Sequence, residues 1–546
     1  MSKVMGKKAL QAIMCYVDLL DRLDVEVDSK VIFNLSDSRQ KQIQKACHTN
    51  NPFPGVLKPV LLSLRKKAVK KLYEDEKVLQ TGPAAAILAL DQALLQDIAN
   101  IRSGSKENLP IICDVDMAGL QVVRLYMSSY SGNREFIKAR YNSAMRVDNA
   151  LNGSFYKYKT KDGRKFSAHV YYESQKKIMM ETLGIKKAPE KFVFGSLFFD
   201  KIRTRRAVRK FEALDLEEKT FENGACGCML RTRQEWEESE VGKAVCDMPL
   251  YRLTRISNTS KKKYGIYEKK RGPLSGLKVL DLTHIIAGPA CTRLLAEAGA
   301  DVLMIRRGKY VEQEQAMLEL DGWAGKNSVQ LDFNVPEQLK KAKELVKKAD
   351  VVICSYQKGS LDKFGLSEKD IHKLNPNVIY GSLVCFSDTV WDTRPGWAPC
   401  AEDITGLSIR NGSLKKPVNL NGVPLDYIPG MILFAGVVSA IKKQLTEGGS
   451  YTVTASLTRG GYWLHECTDL WEKKRGRITM DSSKYIICNN MSMNTWDDVY
   501  TKVDDTAVGT VYFTTPATNA GKETNPYRAK NMWFADGHKD FRMKKH

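Results

Sequence analysis

A chain of 546 residues is long enough for two or more domains, and 43% hydrophobic with 27% charged residues is ordinary for a soluble globular protein. No apolar run reaches the roughly 18–20 residues of a membrane span, and the start, Met1-Ser-Lys-Val-Met-Gly-Lys-Lys8, lacks a signal-peptide core, so neither a membrane nor secretion is expected. The net charge of +22 exceeds what one phosphate-bearing ligand requires, yet no zinc finger, RRM-like aromatic signature or basic-region heptad accompanies it, so the basic clusters read as solvated faces and a linker, and no nucleic-acid partner is expected.

In chain order, Pro83–Leu95 reads as a helix, Ser103–Ser105 as a turn and Pro110–Met117 as a strand. Phe166–Tyr172 is a strand candidate, and Gln175–Leu183 and Asp215–Asn223 are helix candidates. Residues 257–276 are polar and basic, which is linker chemistry. The stretch Gly276–Arg307 reads as strand, tight turn, helix, strand. Its apolar run Val279–Leu282 meets a small-residue turn, Gly288-Pro289 opens a helix, Gly299 stops it, and Val302–Ile305 is buried. Free N–H groups at such a helix start suit a phosphate. The unit implies a nucleotide-like ligand on a parallel sheet, or a βαβ unit with nothing bound. Further on, Pro429–Ile441 is helical, and a Gly448-Gly449 turn leads to a strand over Tyr451–Leu457. Helix, turn and strand therefore recur in both halves, with Gly119 matching Gly460, which points to an internal repeat. Asp426 lies just before Pro429, whereas the place before Pro83 reads Leu79-Gln-Thr-Gly82, with no carboxylate.

The Gly276–Arg307 stretch resembles the opening of the family III CoA-transferases, the CaiB/BaiF group. Further matches follow in the family's order: Asn327–Phe333, Ala349–Gly365, Leu374–Tyr380, Glu402–Leu407, Leu425–Gly430 and Gly448–Leu457. Leu230-Arg-Thr-Arg-Gln-Glu-Trp-Glu-Glu238 resembles a helix start in the family's small domain. The resemblance implies an α/β fold with a Rossmann-like parallel sheet domain and a smaller α+β domain. It divides the chain into a degenerate CaiB-like segment (1–149), a small α+β domain (150–256), a basic linker (257–272), the transferase core (273–475) and a C-terminal segment packing back on that core (476–546). Family members form interlocked dimers, so a homodimer or a pseudo-dimeric monomer is expected.

By the same resemblance the chain moves CoA from an acyl-CoA to an acceptor carboxylic acid. The chemistry needs a carboxylate nucleophile beside the thioester and donors for the oxyanion, but no metal or redox cofactor. Asp426 matches the family's nucleophile; a helix N-cap is the alternative role for an Asp at this place. The CoA site would comprise Ile285, Ile286, Ala287, Arg307, Leu331, Asn334, Ser355, Tyr356 and Lys363, with Arg307 and Lys363 on phosphates and Ile285 and Leu331 at the adenosine end.

Two departures from the family pattern matter. Trp397 stands where family racemases carry a His, and indole cannot exchange a proton with a carbon acid as imidazole can. Trp397 and Ala398 also stand where transferases place Tyr or Glu near the thioester, and Glu402 occupies a Gln-like place. The competing readings are a catalytically weak CoA-binding scaffold and a racemase-like isomerase. Cys226-Gly-Cys228 has no nearby His pair, so no zinc site is expected. The twelve cysteines read as scattered buried thiols in a reducing compartment, with the cytoplasm expected and a mitochondrion or peroxisome as alternatives.

Overall fold

The computed structural model describes residues 2–35, 37–46, 57–72, 74–127, 129–132, 156–170, 173–185, 196–306, 321–474, 484–489, 500–506, 509–514 and 517–520. The N-terminal half supplies β1 (Val31–Leu35), β2 (Ile111–Asp114) and β3 (Ser129–Gly132), with the long helices Ser2–Leu23 and Thr81–Ser103. A small antiparallel sheet follows: β4 (Lys157–Lys159), β5 (Lys165–Ala168) and β6 (Gly227–Met229). Next come β7 (Tyr251–Ser257), β8 (Lys278–Leu282), β9 (Asp301–Arg306), β10 (Asn327–Gln330), β11 (Val351–Cys354), β12 (Ile379–Val384) and β13 (Ser450–Ser456). The last strands are β14 (Tyr485–Asn489), β15 (Tyr500–Thr506), β16 (Gly509–Thr514) and β17 (Thr518–Ala520).

Strands β8 to β13 form a parallel sheet in the order β10-β9-β8-β11-β12-β13, and β7 closes one edge antiparallel to β13. Counted from β8, the parallel order is 3-2-1-4-5-6, that of doubly wound dinucleotide-binding sheets. Apolar side chains alternate between its two faces. Leu280, Leu303 and Val352 join one core, and Val279, Val302 and Ile353 join the other, the period-2 pattern of a sheet covered on both sides. The strand order reverses direction between β8 and β11, and such sheets hold ligands in the crevice outside the carboxyl ends there.

The helix Pro424–Thr446 is the hub of the larger core, packing on Ala287–Glu297, Thr81–Ser103 and β13. It and Thr81–Ser103 are long and apolar enough to cross a membrane, but both are largely buried within the protein. The sequence places the start of this helix at Pro429. The structure starts it at Pro424, a residue that suits a first helical turn because it lacks the N–H that would be orphaned there.

Other expectations need correction. The strand expected over Pro110–Met117 ends at Asp114, whose side chain accepts the Met117 N–H and caps the helix Val115–Gln121. The boundary drawn at residue 256 cuts through β7, an edge strand of the main sheet. The basic linker is strapped to the core: Lys262 N donates to Gln444 O at 3.0 Å, Lys262 Nζ pairs with Asp350 at 2.8 Å, and Tyr264 Oη donates to Gln444 Oε1 at 2.6 Å. Among the described residues the C-terminal strands pair with strands of the N-terminal half, while Ala517 and Thr518 also border Leu294, Ala298 and Phe434 of the core. Strands β14 and β17 flank β1 and β2, while β15 and β16 extend from β3.

Candidate active site

The turn after β8 is set by a fully buried carboxylate. Asp281 accepts from Thr283 N at 2.9 Å, Thr283 Oγ1 at 2.6 Å, Thr292 Oγ1 at 2.7 Å and Lys326 Nζ at 2.8 Å. Lys326 is itself fully buried and also reaches Thr292 Oγ1 and Pro289 O. One ion pair thus ties β8, the turn and the next helix together. The turn carries backbone strain at Ile285, where φ is 67°, a conformation rarely adopted by a β-branched residue. The helix Ala287–Glu297 then begins without a side-chain cap, leaving its first N–H groups with no intrahelical partner.

Two glycines allow the close approaches that shape the site. A Cβ at Gly288 would lie 2.7 Å from Thr283 Cβ and 2.8 Å from Ser355 Cβ, so the turn lies directly against the loop after β11. A Cβ at Gly430 would lie 2.6 Å from Ala287 O, so the Pro424 helix packs backbone to backbone on the helix start.

These approaches enclose a cleft of about 170 Å³ at the strand-order reversal. Its wall includes His284 to Gly288, Ser355, Cys385, Arg394, Trp397 and Asp426. Asp426 occupies the first turn of its helix and remains partly exposed to the cleft. The N-cap is Val423, so the capping role considered for Asp426 does not apply. Burial, followed by the charge of Glu402, pushes the Asp426 carboxyl up to about 8. Burial also raises Glu402 to about 7, against hydrogen bonds from Leu420 N at 2.9 Å and Asn419 Nδ2 at 2.7 Å. Next to Asp426 in the chain, Tyr427 Oη donates to Asp321 Oδ2 at 3.0 Å, and Arg124 from the N-terminal half pairs with the same carboxylate.

The expected site residues fall into two groups. Ile285, Ile286, Ala287, Ser355 and Asp426 line the one cleft. Tyr356 flanks it by stacking on His284, with ring centroids 4.8 Å apart. Leu331, Asn334 and Lys363 do not line this cleft. Leu331 is buried in the second core after β10, Asn334 is exposed and bonded to Asp332, and Lys363 is exposed over the Phe364 ring. Arg307 lies outside the described residues.

Sequence reasoning passed over three contributors. His284 lines the cleft. Burial lowers it to about 4, so it is neutral at pH 7, and Ser355 Oγ accepts its backbone N–H at 3.2 Å. Gln175 reaches the cleft from the small domain. Arg394 lies over the rings of Trp391 at 4.4 Å and Phe221 at 4.5 Å, and grips Glu218 through two bonds of 3.0 and 2.5 Å. Its tie holds the loop before Trp397 to the small domain. The only signal for Arg394 was a cation within an aromatic loop.

Residues 274–504 match the family described as CoA-transferase family III. An acyl-CoA transferase of Gibberella moniliformis is 29% identical over 386 residues, covering 66% of this chain and 66% of that protein. An acetyl-coenzyme A transferase of Hypoxylon pulicicidum is 28% identical over 340 residues, covering 58% of this chain and 56% of its own length. The beta subunit of a succinyl-CoA–L-malate CoA-transferase of Chloroflexus aurantiacus is 31% identical over 210 residues, covering 36% and 51%. The chain therefore spans at most 66% of the length of these relatives. A CaiB/BaiF family protein from Brucella suis, known by crystal structure, is 26% identical with a TM-score of 0.34, covering 37% of this chain and 58% of that one. Residues 274–504 are thus similar to CoA-transferase family III.

Proposed function

We propose that this protein transfers CoA from an acyl-CoA to a carboxylic acid, with Asp426 as the nucleophile. The observation that carries the reading is the position of the Asp426 carboxyl. It opens into a cleft at the strand-order reversal, together with the uncapped start of the helix Ala287–Glu297. In the first step, a carboxylate oxygen of Asp426 attacks the thioester carbonyl and the C–S bond breaks, giving an aspartyl–acyl anhydride and CoA thiolate. The thiolate then attacks the aspartyl carbonyl, expels the donor acid as its carboxylate and leaves an aspartyl-CoA thioester. The acceptor carboxylate attacks this thioester, and the released thiolate attacks the acceptor's carbonyl in the second anhydride. New acyl-CoA leaves and the Asp426 carboxylate is restored. Backbone N–H groups at the helix start are candidates for holding each oxyanion.

The N-terminal half reads as an inactive copy of the same unit. The sheet β14-β1-β2-β17 has the parallel, parallel, antiparallel pairing of β11-β12-β13-β7. Gln80 precedes Pro83 by the same interval at which Asp426 precedes Pro429, and an amide cannot serve as the nucleophile. This supports a pseudo-dimeric chain with one working site. The test is a transfer assay that pairs short acyl-CoA donors with carboxylic acid acceptors, comparing wild type with Asp426→Ala. Transfer by wild type alone supports the reading; equal transfer by both, or CoA binding with no transfer across the panel, counts against it.

A further inference from the structure

A cluster of sulfur and nitrogen ligands converges behind the cleft. Cys226 and Cys228 lie at β6, His169 follows β5, Cys385 follows β12, and Cys400 sits in the helix Ala398–Ile404. All five are buried. Ligand atoms of His169, Cys228 and Cys400 lie within 4.8 Å of one another. His169 Nε2 is 3.6 Å from Cys228 Sγ. The buried thiols of Cys226 and Cys385 also influence that of Cys400, outside the group of three. Asp403 Oδ2 stands 3.6 Å from His169 Nε2 and is held by Ser167 Oγ at 2.6 Å and by Lys157. Two buried polar atoms here, His169 Nδ1 and Asp403 Oδ1, have no hydrogen-bond partner. Such orphans are costly in a dry interior.

We propose that His169, through Nε2, and Cys226, Cys228 and Cys400 form a structural Zn²⁺ site. The set is a Cys₃His donor group, which zinc takes tetrahedrally. Zinc–sulfur and zinc–nitrogen bonds of ordinary length place neighbouring ligand atoms roughly 3.5–3.8 Å apart, and the His169–Cys228 separation of 3.6 Å already falls in that range. Each thiol gives its proton to solvent as its S–Zn bond forms. The site would join the small sheet to the helix that carries Glu402, whose first residues border the cleft. It does not depend on the transferase reading.

The full chain is tested by measuring zinc in the purified protein. It is then stripped with a chelator and titrated with Co²⁺, whose thiolate-to-metal charge-transfer absorption reports sulfur ligation, and finally with Zn²⁺ to displace it. The proposal expects one equivalent of Co²⁺ with that absorption, lost in Cys228→Ser and Cys400→Ser and kept in Cys113→Ser, a buried thiol on β2. Zn²⁺ should also raise the melting temperature of wild type and leave that of Cys400→Ser unchanged. Because the serine variants can misfold, the wild-type titration decides alone. A folded wild type giving no charge-transfer band, or a band kept by both serine variants, overturns the site.

Discussion

Burial, and after it the charge of Glu402, raises the pKa of Asp426. Two carboxyls in one dry site resist ionising together, so the proposed nucleophile is held partly protonated near neutral pH. Only the carboxylate can attack, so kcat/KM should rise with pH and level off above about 8. Glu402→Gln removes the neighbouring charge and should move the midpoint to lower pH. A pH profile of kcat/KM for both proteins checks this; an unmoved midpoint contradicts the coupling.

The same shift makes a stability prediction. The folded protein binds the Asp426 proton more tightly than the unfolded chain does, so ionisation favours unfolding. Stability from this group is full below 3.8, falls as pH rises, and reaches its floor above about 8. Asp426→Asn cannot ionise. Its melting temperature should gain on wild type across that window, while transferase activity falls by at least about 10³-fold, as loss of a covalent nucleophile implies. Melting curves at several pH values would show a constant difference if the shift were absent.

Lys326 and Asp281 form a fully buried pair beneath the turn. Lys326→Met leaves Asp281 charged without its cation, and losing one partner of such a pair costs about 3–5 kcal/mol. Denaturant unfolding should show that loss, with transfer activity falling because the turn at His284–Gly288 loses its anchor.

Gly430 faces Ala287 O at a distance no Cβ tolerates. Gly430→Ala should therefore push the Pro424 helix off the helix start, at a cost of about 1–3 kcal/mol. It should also reduce kcat, since Asp426 rides on the same helix. Unfolding and steady-state kinetics on one preparation would separate the two effects.

Much of the main sheet was legible because its strands are continuous apolar runs separated by helices, and that alternation encodes the parallel order. β7 was not legible, since its pairing with β13 crosses almost two hundred residues and leaves no local signal. Asp426 was recognisable from its motif, but its helix was placed too late because Leu425 and Tyr427 give no clear start signal; only Pro424 does. The cysteine cluster was discounted because C-x-C without a nearby histidine is weak. Its ligands come from three separate segments, and only the fold brings His169 and Cys400 to Cys228. Arg394 escaped notice for the same reason, since its partner Glu218 belongs to another domain.

The most direct measurement is a covalent trap at Asp426. The protein is incubated with short acyl-CoAs, quenched with hydroxylamine and digested, and the peptide holding Asp426 is weighed by mass spectrometry. The account predicts a hydroxamate on Asp426, formed from the aspartyl anhydride or thioester and dependent on acyl-CoA. An unmodified Asp426 in a preparation that turns over acyl-CoA would contradict it.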